Sequence, residues 1–143
     1  MKPCPWPVAD LLPHQSPMLL LQGVLGYDDT TVVTTANLGD DNPFMTPHGL
    51  PAHVGVELMA QTCGAWVGVH ALENGEPVRL GYLLGTRRYL ATVDWFGGDD
   101  PLEVSASVVF RDQGMGVFDC SIAANGQTLA TAQLTLFQPE EEA

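Results

Sequence analysis

Hydrophobic positions in this chain form one long block and several shorter runs. The block covers residues 51–72, PAHVGVELMAQTCGAWVGVHAL, and is apolar around nearly its whole circumference, with Glu57 as its one carboxylate. Its length, Pro51 at the first helical position and Asn74-Gly75 as a stop predict a helix. An all-round apolar helix needs other structure over every side, which a sheet curled about it supplies. Gly64 and Gly68, four apart, predict a smooth strip for the close approach of a strand or a symmetry-related helix. Glu57, Gln61 and Thr62 interrupt the run too often for a bilayer span, which needs about 20 apolar residues.

The shorter runs read as strands. Asp10-Leu11-Leu12 fits one helical turn before Pro13. Residues 17–27 (PMLLLQGVLGY) and 30–38 (TTVVTTANL) predict a hairpin that turns at Asp28-Asp29. Residues 39–49 form a turn-rich loop, punctuated by Pro43 and Pro47. Strands are then predicted at 78–84, 86–96, 102–112, 116–124 and 128–137, with turn signals at Gly97-Gly98-Asp99-Asp100, Asp112-Gln113-Gly114 and Asn125-Gly126. Residues 139–143 close the chain as an acidic tail. With no internal repeat and no linker, residues 1–143 read as one domain. One helix inserted after the first two strands of an antiparallel sheet predicts an α+β layer, a curved sheet wrapped around a long central helix, known as the hotdog fold.

Composition narrows the partners. The net charge is −12, which argues against nucleic acid or an anionic membrane surface. The basic residues are Lys2, Arg79, Arg87, Arg88 and Arg111, so adjacent Arg87 and Arg88 stand out as a candidate anion-docking spot. Cys4, Cys63 and Cys120 are scattered and odd in number, which predicts reduced structural thiols and a cytoplasmic protein. The opening MKPCPWPVADLLPH is broken by prolines and predicts no secretory signal. No His, Cys or Asp spacing suggests a metal, and the expected chemistry needs no cofactor.

Several motifs carry a family resemblance. LLPHQSPMLLL, residues 11–21, resembles the opening of the 3-hydroxyacyl-acyl carrier protein dehydratases of fatty acid synthesis. Asn42-Pro43-Phe44-Met45-Thr46-Pro47-His48 resembles the loop that delivers that family's catalytic histidine. Pro51, Glu57, Met59, Ala60 and Gln61 match its helix start and its acid-x-Met-Ala-Gln signature. The pattern Leu-Pro-x-x-x-Gly-x-Glu-x-Met-Ala-Gln, residues 50–61, is most similar to the hotdog dehydratases of aryl polyene pathways. The family's Gly-His-Phe-Pro-Gly loop is absent, and His48 stands closer to Glu57 in sequence than the family's histidine does to its acid.

The resemblance implies removal of water from a 3-hydroxyacyl chain on an acyl carrier protein, giving a trans-2-enoyl thioester. A histidine takes the weakly acidic C2 proton and a carboxyl group donates to the departing hydroxyl. Glu57 is the expected acid, because burial among apolar side chains disfavours the charged form and suits it to give up a proton. His48 and His14 are the competing bases; His53, four residues before Glu57, is a third. His70, near the helix end, reads as a favourable charge or polar cap. The resemblance makes the Ala52 N–H the donor to the thioester oxygen. Gln61, one turn after Glu57, is placed to hold it in orientation, and the basic pair Arg87 and Arg88 is where an acidic carrier is expected to dock. A homodimer joined through edge strands is expected, because the sheet covers only part of the helix. Two rival functions share these features: a hotdog thioesterase using Glu57 to activate water, and a non-catalytic acyl-binding partner subunit.

Overall fold

The computed structural model describes residues 1–14, 16–79, 81–97 and 100–139. The tail residues 140–143 and the middle of the Gly97 to Asp100 turn signal therefore lie outside the described residues. A 3-10 turn, Val8–Asp10, opens the chain and is followed by β1 (Leu21–Tyr27) and β2 (Thr31–Ala36). Next come β3 (Leu50–Pro51), a second 3-10 turn (Ala52–Val54) and the helix α1 (Gly55–Glu73). The chain then runs through β4 (Tyr82–Ala91), β5 (Trp95–Phe96), β6 (Leu102–Asp112), β7 (Met115–Ala124) and β8 (Gln127–Phe137). Six strands form one antiparallel sheet in the order β1-β2-β6-β7-β8-β4, and β3 pairs with β5 apart from it. The sheet curls around α1, which is the hotdog architecture expected from the sequence.

Local chemistry explains most of these elements. Asn125 and Gly126 take positive φ of 51° and 75°, and Gln113 and Gly114 take 49° and 83°, so both hairpins close on two residues in the left-handed region. The inner sheet face buries Val104, Ala106, Phe118, Ile122 and Leu134 against Leu58, Met59 and Trp66 of α1. Cys63 and Cys120 meet across that seam, sulfur to sulfur at 3.5 Å. Burial, with the Cys120 thiol alongside, pushes the Cys63 thiol well above its ordinary range, so Cys63 is inert packing.

Three expectations change. The predicted strands 78–84 and 86–96 merge across Gly85 into β4, Tyr82–Ala91, because Gly85 continues pairing with Thr135 after a register shift, while Trp95 and Phe96 at the end of the second form β5. A second register shift separates Arg87 from Leu90, and Arg88 takes φ 55° there. Pro51 ends β3 instead of starting the helix, and a 3-10 turn separates it from α1. The opening helical turn falls at Val8–Asp10, earlier than Asp10-Leu11-Leu12.

His70 is not the cap of α1, whose end is closed by the Asn74 N–H on the carbonyls of His70 and Ala71. Instead its Nε2 lies 3.2 Å from the Asp28 carbonyl, and Nδ1 lies 3.3 Å from Glu73. Together with the Tyr27 hydroxyl donating to Glu73 at 2.8 Å, this ties the helix end to the β1–β2 turn.

The glycine strip of α1 receives neither a strand nor a second helix. The lead segment lies on it: a Cβ on Gly68 would collide with the backbone carbonyl of Leu11, and one on Gly64 would come within 2.8 Å of Leu12 Cδ2. Backbone cannot yield as a flexible methyl can. Alanine gains about 1 kcal/mol over glycine inside a helix, while overpacking costs about 1–3 kcal/mol. Gly68→Ala is therefore expected to lower the urea midpoint, and Gly64→Ala to leave it close to the parent. A Gly68→Ala protein as stable as Gly64→Ala would remove the close approach of the lead segment.

Candidate active site

One face of α1 is open. Glu57, Ala60, Gln61, Gly64, Gly68 and Ala71 follow one another at helical spacing and line a cavity of about 150 Å³ between the helix, the lead segment and one end of the sheet. Gly64 and Gly68 let the lead pack onto the helix, and the small side chains of Ala60 and Ala71 leave room beside it. The sheet contributes Leu83, Gly116, Phe118 and Leu136, and the lead contributes Leu11 to His14.

Polar groups gather where the lead crosses the start of α1. Gln61 is 1% exposed and satisfied on both ends of its amide. Its Oε1 accepts from the Leu20 N–H at 2.8 Å, and its Nε2 donates to the Met18 carbonyl at 2.8 Å and to Glu57 Oε1 at 3.1 Å. His14 Nε2 lies 3.7 Å from the same Glu57 oxygen. His14 Nδ1 is buried and has no hydrogen-bond partner among the described residues. The structure thus brings together Glu57, Gln61 and His14, three of the residues singled out from sequence.

Glu57 differs from expectation in one respect. Its side chain is 42% exposed, so it is not an acid sunk in an apolar core. The helix looked covered all round because its open face carries Ala, Gly and Val, which read as core residues although they line a cavity. Glu57 and His14, the latter 31% exposed, both face that opening.

The remaining candidates lie elsewhere. His48 is exposed, with its ring 5.3 Å from that of Trp95, and does not line the cavity. His53 sits exposed in the 3-10 turn ahead of α1 and does not line the cavity. Ala52 requires a correction as oxyanion donor: its N–H already donates to the Asp94 carbonyl at 2.9 Å. Its carbonyl accepts from the Tyr89 hydroxyl, so both backbone groups of Ala52 are committed to fixing the helix start. Tyr89 escaped sequence reasoning; the signal was Gly55, where a Cβ would strike the Tyr89 oxygen. Arg87 and Arg88 are exposed on β4 and border a shallow hollow with Asp119 and Gln133, apart from the cavity. No cluster of three His, Cys, Asp or Glu able to hold a metal occurs among the described residues.

Known proteins match this arrangement along nearly the whole chain. The family model for ApeP-like proteins, described as ApeP dehydratase, matches residues 6–143. Among solved structures, the dehydratase heterocomplex ApeI:P from Xenorhabdus doucetiae superposes with a TM-score of 0.89 at 33% identity, covering 95% of this chain and 93% of that one. The 3-hydroxyacyl-[acyl-carrier-protein] dehydratase FabZ of Acinetobacter baumannii is 24% identical over 140 residues, 94% of this chain and 95% of that protein. FabZ of Streptococcus pneumoniae is 29% identical over 136 residues, 90% of this chain and 92% of its own. A Streptococcus pneumoniae hypothetical thioesterase with coenzyme A, at 20% identity and a TM-score of 0.61 over 84% of this chain and 87% of that one, shares the fold alone. The hotdog dehydratase resemblance read from the Leu-Pro-His lead and the Met-Ala-Gln helix is met over the full match, and the chain belongs to the ApeP-like dehydratase family.

Proposed function

We propose that this chain dehydrates 3-hydroxyacyl thioesters carried on an acyl carrier protein, in fatty acid or aryl polyene synthesis, with Glu57 as the acid and His14 as the base. The observation that carries the assignment is the approach of His14 Nε2 to within 3.7 Å of Glu57 Oε1 at the opening of an apolar cavity. His14 Nε2 takes the C2 proton, the C3–O bond breaks, and the Glu57 carboxyl gives its proton to the leaving hydroxyl, which departs as water. The proton then passes from His14 back to Glu57, restoring both groups. Gln61 holds the carboxyl while itself bonded to Met18 and Leu20, so it acts through Glu57 as a positioning residue. A thioesterase would need Glu57 to aim a water instead; the paired imidazole and the family membership favour dehydration.

The β4 edge supports pairing with a second hotdog chain. Among the described residues β4 bonds β8 on one side only, and Tyr82, Leu83, Leu84 and Leu90 on it are exposed. An unpaired, apolar edge is a template for another strand. A homodimer is the form proposed, with a reducing cytoplasm as its location, consistent with the free, closely spaced thiols of Cys63 and Cys120. No helix among the described residues is long and apolar enough to cross a membrane.

Three outcomes test this account. Glu57→Gln and His14→Ala should each slow single-turnover dehydration by about 10²- to 10⁴-fold without loss of fold, whereas His48→Ala keeps most of the rate. The reverse pattern for the two histidines would move the base to His48 of a second chain, and equal small losses in all three would favour a non-catalytic partner subunit. In the same assay, Arg87→Glu with Arg88→Glu should raise KM for the acidic carrier, and the difference should fade as salt shortens the screening length below roughly 8 Å. An unchanged KM would make the pair ordinary solvated surface. By light scattering at micromolar concentration, the chain alone should have the mass of two copies; the mass of one copy would assign the β4 edge to a different hotdog partner.

A further inference from the structure

The acid assigned to the chemistry stands where a helix is least secure. Glu57 lies in the first turn of α1, and neither α1 nor the 3-10 turn that feeds it, Ala52–Val54, has a side-chain cap at its start. Helix starts without a cap leave N–H groups unpaired and fray. A carboxyl that must meet a leaving hydroxyl cannot share that freedom, since a misplacement of about 1 Å can cost about 10²-fold in rate. The hold has to come from outside the helix.

It is applied at the backbone of Ala52. The Ala52 N–H donates to the Asp94 carbonyl at 2.9 Å. The Ala52 carbonyl accepts twice, from the Gly55 N–H that closes the 3-10 turn and from the Tyr89 hydroxyl. Tyr89 reaches it through two departures from regular structure. In β4, Arg87 pairs with Gln133 and Leu90 with Thr131, so Arg88 and Tyr89 together oppose Ala132, and Arg88 takes φ 55°. Such a bulge usually has glycine in the left-handed position, yet arginine occupies it here. In an unbroken strand Tyr89 would share the face of exposed Arg87; the extra residue turns it toward the core, against which it packs. The second departure is Gly55, where a Cβ would strike the Tyr89 oxygen and come within 3.0 Å of Ile122 Cδ1 and Phe96 Cε2. Burial also pushes the Tyr89 phenol above its ordinary range, so it keeps the proton it donates.

Resting on the dehydratase reading above, we propose that Tyr89 is a positioning residue for the reaction: from the bulge in β4 it fixes the start of α1, and with it the place of the Glu57 carboxyl relative to His14. Tyr89 does not line the cavity beside Glu57, so it acts through the helix and makes no contact with substrate. Its role is distinct from that of Gln61, which holds the same carboxyl directly from one turn further along. The bulge re-aims one side chain of the sheet so that the sheet, and not a cap, sets the first turn of the helix.

The test is a double-mutant cycle of Tyr89→Phe and Glu57→Gln, read in single turnovers of a 3-hydroxyacyl carrier. Tyr89→Phe keeps the ring and removes only the hydroxyl. It should lower the rate about tenfold while the apparent affinity for the carrier stays within about twofold of the parent. In the Glu57→Gln background the same change should cost less than about twofold, because the proton donor it positions is gone. A parent rate in Tyr89→Phe, or the same loss in both backgrounds, would overturn the proposal. Amide exchange gives a readout that needs no turnover: in Tyr89→Phe the amides of Gly55 to Leu58 should exchange faster, while those of Trp66 and Val69 keep the parent's protection. Exchange that is unchanged at the helix start, or faster throughout α1, would also overturn it, the latter marking a general loss of packing. A failure of the dehydratase reading looks different: the parent turns over no 3-hydroxyacyl carrier, while the exchange difference at the helix start persists.

Discussion

The site depends on how ten residues of lead chain are pinned to α1. At one end the Leu11 backbone lies against Gly68, where no side chain but hydrogen fits; at the other, the buried Gln61 amide bonds the carbonyl of Met18 and the N–H of Leu20. A buried amide left without partners costs about 1–3 kcal/mol, so this register is strongly favoured over its neighbours. His14 sits between the two anchors and is delivered to Glu57, which the same Gln61 also holds. One helix thus presents the acid and, through glycine and glutamine, places the imidazole as well. The cavity follows from the same arrangement, since Leu11 to His14 of the lead and the small residues of α1 together form its wall.

Much of the fold was legible because its signals are local. Asn125-Gly126 and Gln113-Gly114 demand positive φ and give hairpins whatever surrounds them, and the apolar block between Pro51 and Asn74 has a helix's length and stop. What failed was decided at a distance. Gly85 reads as a break between strands, yet β8 continues to pair across it. The β3–β5 pair, Leu50 with Phe96 and Pro51 with Trp95, joins segments too short to show any periodicity.

The site was legible in its residue types and less so in its geometry. Glu57 and Gln61 stand four apart on one helix, so their contact follows from spacing. The Ala52 N–H could be expected to be free at a helix start, but the turn carrying Asp94 folds back to take it. The exposure of Glu57 was hidden because alanine and glycine facing a cavity look the same in sequence as alanine and glycine facing a core. His48 and His14 could not be ranked from spacing, since their positions rest on loop 39–49 and on the lead, and neither has a repeat to read.

An imidazole and an acid sharing one opening suit a reaction that moves one proton off carbon and another onto a leaving oxygen, while the carrier keeps its thioester. Hydrolysis in the same fold would break that thioester. The most direct test is therefore the mass of the carrier protein after incubation with this chain and a 3-hydroxyacyl load. Dehydration predicts a carrier still acylated and lighter by one water. A carrier returned as its bare pantetheine thiol, with free 3-hydroxy acid in solution, would contradict the account.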